Sequence, residues 1–426
     1  MTKNIVLCCD GTGNEIERDL SNVLKLFRIV RKNDEQIVYY HPGVGTLSSD
    51  DAWSHFKNNF YLVLGLVTGY GLDANVLDAY RFLVDHYEDG DRIYLFGFSR
   101  GAYTVRVLAG FLHLVGLVKP AQRNLSDYAL TAYKRAAAKD DFKIAWRFER
   151  VMTTRRVPIR FIGVWDTVSS VIVPRPDRFY IPSLEELPYT KTNPSVEVFR
   201  HALAIDERRR MFRANLWREP QEFKPNPFGD ARPQDVEQVW FAGVHSDVGG
   251  GYAEEESGAA KYPLAWILDE AVEHGLAINR AMYNHLVLGK PRKGGTRTYA
   301  APSPTAKLHD SMNWGWRILE WLPKRATRKE WPERRSFLGF YLPRSEPRPI
   351  EAGALVHYSV AERQNLDPSY APINLPPLER VTIEGSGPGL RDGGADAADD
   401  ADVADDADAD DDALAGADDG ADEELT

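Results

Sequence analysis

Gly97-Phe98-Ser99-Arg100-Gly101 sets a serine between glycines two positions before it and two after. A serine on a sharp strand-to-helix turn is held in a strained backbone conformation, and the flanking glycines let neighbouring chain come close. Its hydroxyl attacks only when a base takes its proton, and that base must be oriented by a carboxylate. The chemistry predicted is acyl transfer with Ser99 as nucleophile. Two later strand ends supply the partners in the order serine, acid, histidine. They are Val164-Trp165-Asp166-Thr167 and Gly243-Val244-His245-Ser246-Asp247, the latter followed by Gly249-Gly250-Gly251. Asp166 is the expected orienting acid and His245 the expected base. The competing readings are a helix-capping aspartate and a structural histidine. His309 and His357 follow later as alternative bases, although His357 lies in the apolar run Ala354–Val360 and reads as core.

An acyl-transfer site needs main-chain N–H donors where negative charge develops, one of them from the residue after the nucleophile. That residue is Arg100. The second donor is expected from a loop after an earlier strand, either Asp10-Gly11-Thr12-Gly13-Asn14 or His41-Pro42-Gly43-Val44-Gly45-Thr46, with Gly11 or Thr12 favoured. Asp10-Gly11-Thr12 after an apolar strand also suggests a phosphatase that uses an aspartate nucleophile two positions before its second aspartate. Here that position is Cys8, so the phosphoaspartate route lacks its attacking group. Asp10 and Asp247 are then expected to brace loops around the catalytic groups.

Such groups converge only on a suitable scaffold. Ile5–Cys9, Gln36–Tyr40, Arg92–Phe98, Ile159–Trp165 and Val239–Val244 are β-branched or aromatic runs of strand length. Between them, Val23, Leu26, Phe27 and Val30 follow Ser21 at helical spacing, and Val76, Ala79, Tyr80, Leu83 and Tyr87 repeat it. Alternation of this kind predicts a mostly parallel sheet with helices on both faces and its site at the carboxyl ends of the strands, and with the serine elbow the expectation is an α/β-hydrolase-like fold. The expected organisation is a catalytic domain over 1–290, an extension packed on it over 291–383, and a disordered Ala/Asp-rich tail over 384–426.

Composition narrows the classes. The formal net charge is −11, yet 392–426 holds 16 acidic residues and no basic one, which leaves 52 basic against 47 acidic residues before it. A body near +5 spread over that length is no nucleic-acid footprint. With cysteines only at Cys8 and Cys9, a disulfide framework and a cysteine-built zinc cluster are excluded, and no metal or organic cofactor is required. The first apolar run is too short for a secretory signal and none reaches the ~18 residues of a membrane span, so a cytoplasmic protein is expected. Trp314, Ile318, Trp321 and Leu322 share a helical face, and Lys324–Arg335 carries six basic against two acidic residues. That pattern suits either peripheral contact with an anionic lipid interface or a helix packed on the sheet domain. The triple Arg208-Arg209-Arg210 reads as a solvated or salt-bridged helix face.

Ile5–Asn14, Tyr80–Gly116 with its serine pentapeptide, Gly163–Val168, Asp206-Glu207-Arg208 and Trp240–Tyr252 together resemble the catalytic-domain family of type VI secretion phospholipase effectors. The resemblance covers roughly 3–285 and continues more weakly through Val356–Val360 and Tyr370–Pro376. It implies an α/β-hydrolase with a Ser–Asp–His triad acting on acyl esters, phospholipids among them, with Ser99, Asp166 and His245 in those roles. A carboxylesterase for small soluble esters and a non-catalytic interaction protein on the same scaffold are the alternatives. A broken triad would mark the last of these, and all three positions are filled.

Overall fold

The computed structural model describes residues 2–11, 19–43, 71–139, 142–168, 172–174, 182–184, 187–226, 228–292, 294–295, 297–331 and 333–385. Its centre is an eight-stranded sheet built from β1 (Asn4–Cys9), β2 (Gln36–His41), β3 (Arg92–Phe98), β4 (Ile159–Trp165), β5 (Val196–Ala204), β6 (Asp235–Phe241), β7 (Leu355–His357) and β8 (Thr382–Glu384). The order across the sheet is β8-β7-β6-β5-β4-β3-β1-β2, and every neighbouring pair is parallel.

Helices cover both faces because successive strand residues point to opposite sides, and both sides here are apolar. Ile5, Leu7 and Cys9 join a core with α2 (Leu72–His86), α3 (Arg100–Val115), α4 (Ser126–Lys139) and α5 (Lys143–Met152). Val6 and Cys8 join the opposite core with α1 (Asn22–Ile29), α7 (Lys261–Glu273) and α8 (Arg280–Leu286). The adjacent cysteines thus lie on different faces, both buried and unbonded. Ser21 caps α1, its hydroxyl accepting from the Leu24 amide at 3.1 Å.

The structure departs from expectation in several places. β5 was not anticipated; its Val196-Glu-Val-Phe-Arg-His-Ala-Leu-Ala run interleaves charge with apolar residues, and Arg200 is buried only because Glu270 and Asp235 pair with it at 2.8 Å each. The run expected over Val239–Val244 pairs instead over Asp235–Phe241, and Gly243 has already left the strand with φ +112°. The region after 290 does more than pack on the sheet, since β7 and β8 extend it beyond β6. Glu384, assigned to the acidic tail, belongs to β8, and residues 386–426 lie outside the described residues. Among the described residues no helix is long and apolar enough to cross a membrane.

Candidate active site

The chain leaves β1 to make β2 on one side and returns to make β3 on the other, the switch in strand order beside which open α/β sheets place their ligand sites, at the carboxyl ends of the strands. Ser99 stands there, between β3 and α3. Its φ of 56° and ψ of −115° put a non-glycine residue in a sparsely populated region, held because the Ser99 amide donates to Trp165 O at 3.2 Å while its carbonyl accepts from Tyr103 N. The glycines are sterically required. A Cβ on Gly101 would lie 2.0 Å from Cys9 O, and one on Gly97 2.6 Å from the Ala102 amide nitrogen.

Asp166 follows the adjacent strand, β4, and it too has positive φ, 40°. It is wholly buried, and His245 Nδ1 lies 2.5 Å from its Oδ2. His245 opens the short helix α6 (His245–Gly249), its amide donating to Glu207 Oε2 at 3.3 Å. Phe98, the residue before the serine, lies against the imidazole with centroids 4.6 Å apart, and Phe212 meets it edge-on at 4.9 Å. The elements that carry Ser99, Asp166 and His245 therefore converge at one end of the sheet.

Asp166 has a second partner, and this one is a cation. Arg348 donates through Nη1 to Oδ1 at 2.5 Å and through Nη2 to Oδ2 at 2.9 Å, while the Ala204 amide donates to Oδ1 at 3.0 Å. Carbonyls of Ala204 and Phe212 accept the guanidinium's other hydrogens. Burial alone would raise the Asp166 pKa, but Arg348 and then His245 outweigh it and hold the carboxyl far below the usual carboxylate range. For His245, burial lowers the pKa and the bond to Asp166 opposes the drop without cancelling it. A neutral imidazole with its Nδ1 proton committed to Asp166 leaves Nε2 as a base.

The loop after β1 lies beside the serine: a Cβ on Gly11 would be 3.4 Å from the Ser99 Cβ. The expectation that Gly11 donates its amide to an oxyanion meets a competitor, because that N–H already donates to Asp10 Oδ1 at 2.6 Å. Thr12 lies outside the described residues. Asp10 also accepts from the Ser21 hydroxyl and, at 3.0 Å, from Tyr40 Oη, tying β1, α1 and β2 at this corner. Arg100 provides the first amide of α3.

Neither alternative histidine meets Asp166. His309 sits between Asp247 Oδ1 at 2.6 Å and Glu256 Oε2 at 2.8 Å, stacked on Tyr252. Asp247 accepts from the Val244 and His309 amides, so it fastens the His245 loop to the segment after 300. His357 is buried against Phe241 and caps the N-terminus of α10 (Tyr358–Leu366), where burial lowers its pKa to about 3. Residues 208–210 form a loop, with Arg209 paired to Glu207 at 2.8 Å and Arg210 bound to the carbonyls of Leu319 and Leu322.

Residues 3–270 match the family model described as T6SS, phospholipase effector Tle1-like, catalytic domain. The chain belongs to that family. Ser99, Asp166 and His245 all lie within the matched span of this Tle1-like chain. The uncharacterized protein YEL023C of Saccharomyces cerevisiae is 34% identical over 245 residues, covering 53% of this chain and 34% of that protein. The chain thus spans about a third of that relative's length. Among solved structures, an uncharacterized protein from Pseudomonas aeruginosa aligns with TM-score 0.36 and 20% identity over 65% of this chain and 46% of that one. The Tle1 effector bound to the VgrG spike from the type 6 secretion system aligns with TM-score 0.29 and 18% identity over 60% and 52%.

Arg348 lies outside the Tle1-like span and was not found from the sequence. Its local context, Glu346-Pro-Arg-Pro, reads as an exposed polar linker, and its partner is 182 positions away. Phe212 likewise carries no local signal for its place against His245.

Proposed function

We propose that the protein is a serine hydrolase of carboxylic esters, with lipid esters as its substrates. The observation that carries this reading is the buried contact of His245 Nδ1 with Asp166 at 2.5 Å, at the same end of the sheet as a serine at φ 56°. Membership in a family of phospholipase effector catalytic domains supports lipid esters as the substrate class. Ser99 Oγ attacks the ester carbonyl while His245 Nε2 takes its proton. The Arg100 amide stabilises the oxyanion, and the second donor is assigned to the Gly11–Thr12 loop, through Thr12 if Gly11 stays bound to Asp10. His245 then protonates the departing alcohol, and water, deprotonated by the same nitrogen, releases the acid from Ser99. Asp166 stays ionised throughout and holds the ring in the productive tautomer.

The test is fatty-acid release from phospholipid vesicles, beside hydrolysis of short-chain esters in solution, for wild type and Ser99→Ala. Release from vesicles that vanishes in Ser99→Ala is expected. Turnover confined to the soluble esters would move the assignment to a carboxylesterase, and turnover unaffected by Ser99→Ala would remove the hydrolase reading.

A further inference from the structure

A helix with an apolar stripe normally buries it and leaves its polar groups in water. The turn that begins with α9 (Trp314–Leu319) does the reverse. It is fastened through polar groups: Glu320 accepts from the Arg210 amide at 2.7 Å and the Ser345 amide at 3.2 Å, and Arg210 Nη1 donates to Leu319 O and Leu322 O. Trp314, Ile318 and Trp321, at i, i+4 and i+7, remain outside, Trp314 78% exposed. Two residues beyond Leu322 the chain enters a ribbon in which Lys324 pairs with Tyr341 and Arg325 with Phe340. Its far end leaves Phe337 79% and Leu338 82% exposed. Arg344 covers part of the Trp321 ring, 4.9 Å from its centroid, but most of this apolar surface stays open, and soluble surfaces rarely keep so much of it within one short stretch.

Charge identifies the occupant. Arg317, Arg325 and Arg335 are exposed between these apolar side chains. Among the described residues Arg325 and Arg335 make no ion pair, and Arg317 has only Asp310 at 3.6 Å. Tryptophan and leucine bodies flanked by arginines suit the boundary between acyl chains and anionic headgroups. On the inner side of the α9 turn, Trp316 meets Phe212 edge-on at 5.6 Å, and Phe212 touches His245. One aromatic layer therefore separates the exposed turn from the catalytic imidazole.

We propose that the exposed apolar side chains within 314–322 and 337–340, with Arg317, Arg325 and Arg335, form a docking face for an anionic bilayer, which seats the Ser99 end of the sheet next to the lipid. The orientation rests on the lipid-ester reading of the site, whereas the docking itself does not require turnover. Full-length Ser99→Ala protein, which leaves the lipid intact, is floated with phosphatidylcholine vesicles made with and without phosphatidylglycerol. Binding to the anionic vesicles is expected, and about tenfold weaker binding for the same protein carrying Trp314→Ser with Leu338→Ser, or Arg325→Glu with Arg335→Glu. In the Ser99 background these surface changes should leave soluble-ester hydrolysis unaltered. Undiminished vesicle binding by both pairs overturns the proposal. So does a self-association of the parent protein that either pair abolishes, which would assign the face to a second copy. Failure to bind while soluble-ester and phospholipid hydrolysis persist rejects the docking face alone, and loss of all hydrolysis rejects the enzyme reading separately.

Discussion

Arg348 grips both oxygens of Asp166, at 2.5 and 2.9 Å, from 182 residues further along the chain. The carboxylate that meets His245 is thus set by a guanidinium from beyond the family-matched span, and it divides its charge between Arg348 and His245. With Arg348→Met the imidazole would feel the full carboxylate, and the unpaired carboxylate would itself bind protons more readily. Both effects move the acid limb of kcat/KM upward, by about one pH unit, from a wild-type position below the ordinary histidine value. A residue needed only for folding would lower the amplitude and leave the limb in place. The pH profiles of wild type, Arg348→Lys and Arg348→Met separate the two, with Lys expected between.

The same pair governs acid stability. Asp166 has a depressed folded-state pKa, so its stabilisation is present above the unfolded carboxylate value of ~3.9 and is lost as pH falls toward the folded value. Removing Arg348 leaves a buried carboxylate with one partner and should cost about 3–5 kcal/mol at neutral pH, with the acid loss starting at higher pH. Asp166→Asn with Arg348→Met should recover much of that stability and no activity. Urea midpoints against pH measure both.

Ser99 carries strain that glycine would not. Ser99→Gly should raise stability by about 1 kcal/mol while abolishing turnover, because φ 56° costs a serine and not a glycine. An unchanged or lower urea midpoint would count against the strained elbow.

Gly101→Ala should fail for a steric reason. With Cys9 O 2.0 Å from the added methyl, β1 and the head of α3 must separate, and a loss of at least ~3 kcal/mol is expected in thermal or urea unfolding. Gly295→Ala, whose nearest neighbour would be 3.6 Å away, is the control and should be near neutral.

Loss of either histidine of the α6 region should separate chemistry from bracing. His245→Ala is expected to lower kcat by at least ~10²-fold. His309→Ala removes the tie between Asp247 and Glu256, so it should cost about 1–2 kcal/mol of stability and leave most of kcat. The reverse pattern of rates would reassign the base.

The central strands β1, β3 and β4, and Ser99, Asp166 and His245 as candidates at their ends, could be named from the sequence because their signals are local: apolar runs, a glycine-bracketed serine, polar residues at strand ends. β5 was missed because Arg200 and His201 interrupt an apolar pattern whose compensation, Glu270 and Asp235, lies in other elements. Arg348 was missed for the same reason at greater range. The Gly11 assignment shows a further limit, since sequence can place a glycine beside the serine but cannot show that Asp10 occupies its amide. The stripe at 314–322 was visible as a helical face, but which way it points depends on Glu320 and Arg210 docking the turn by its polar side.

The proposed reaction requires Ser99 to be an activated nucleophile. Fluorophosphonate labelling followed by peptide mapping tests that directly. A single adduct on Ser99 is predicted, absent in Ser99→Ala and strongly slowed in His245→Ala. Equal labelling of wild type and Ser99→Ala, or an adduct on another residue with Ser99 unmodified, would contradict it.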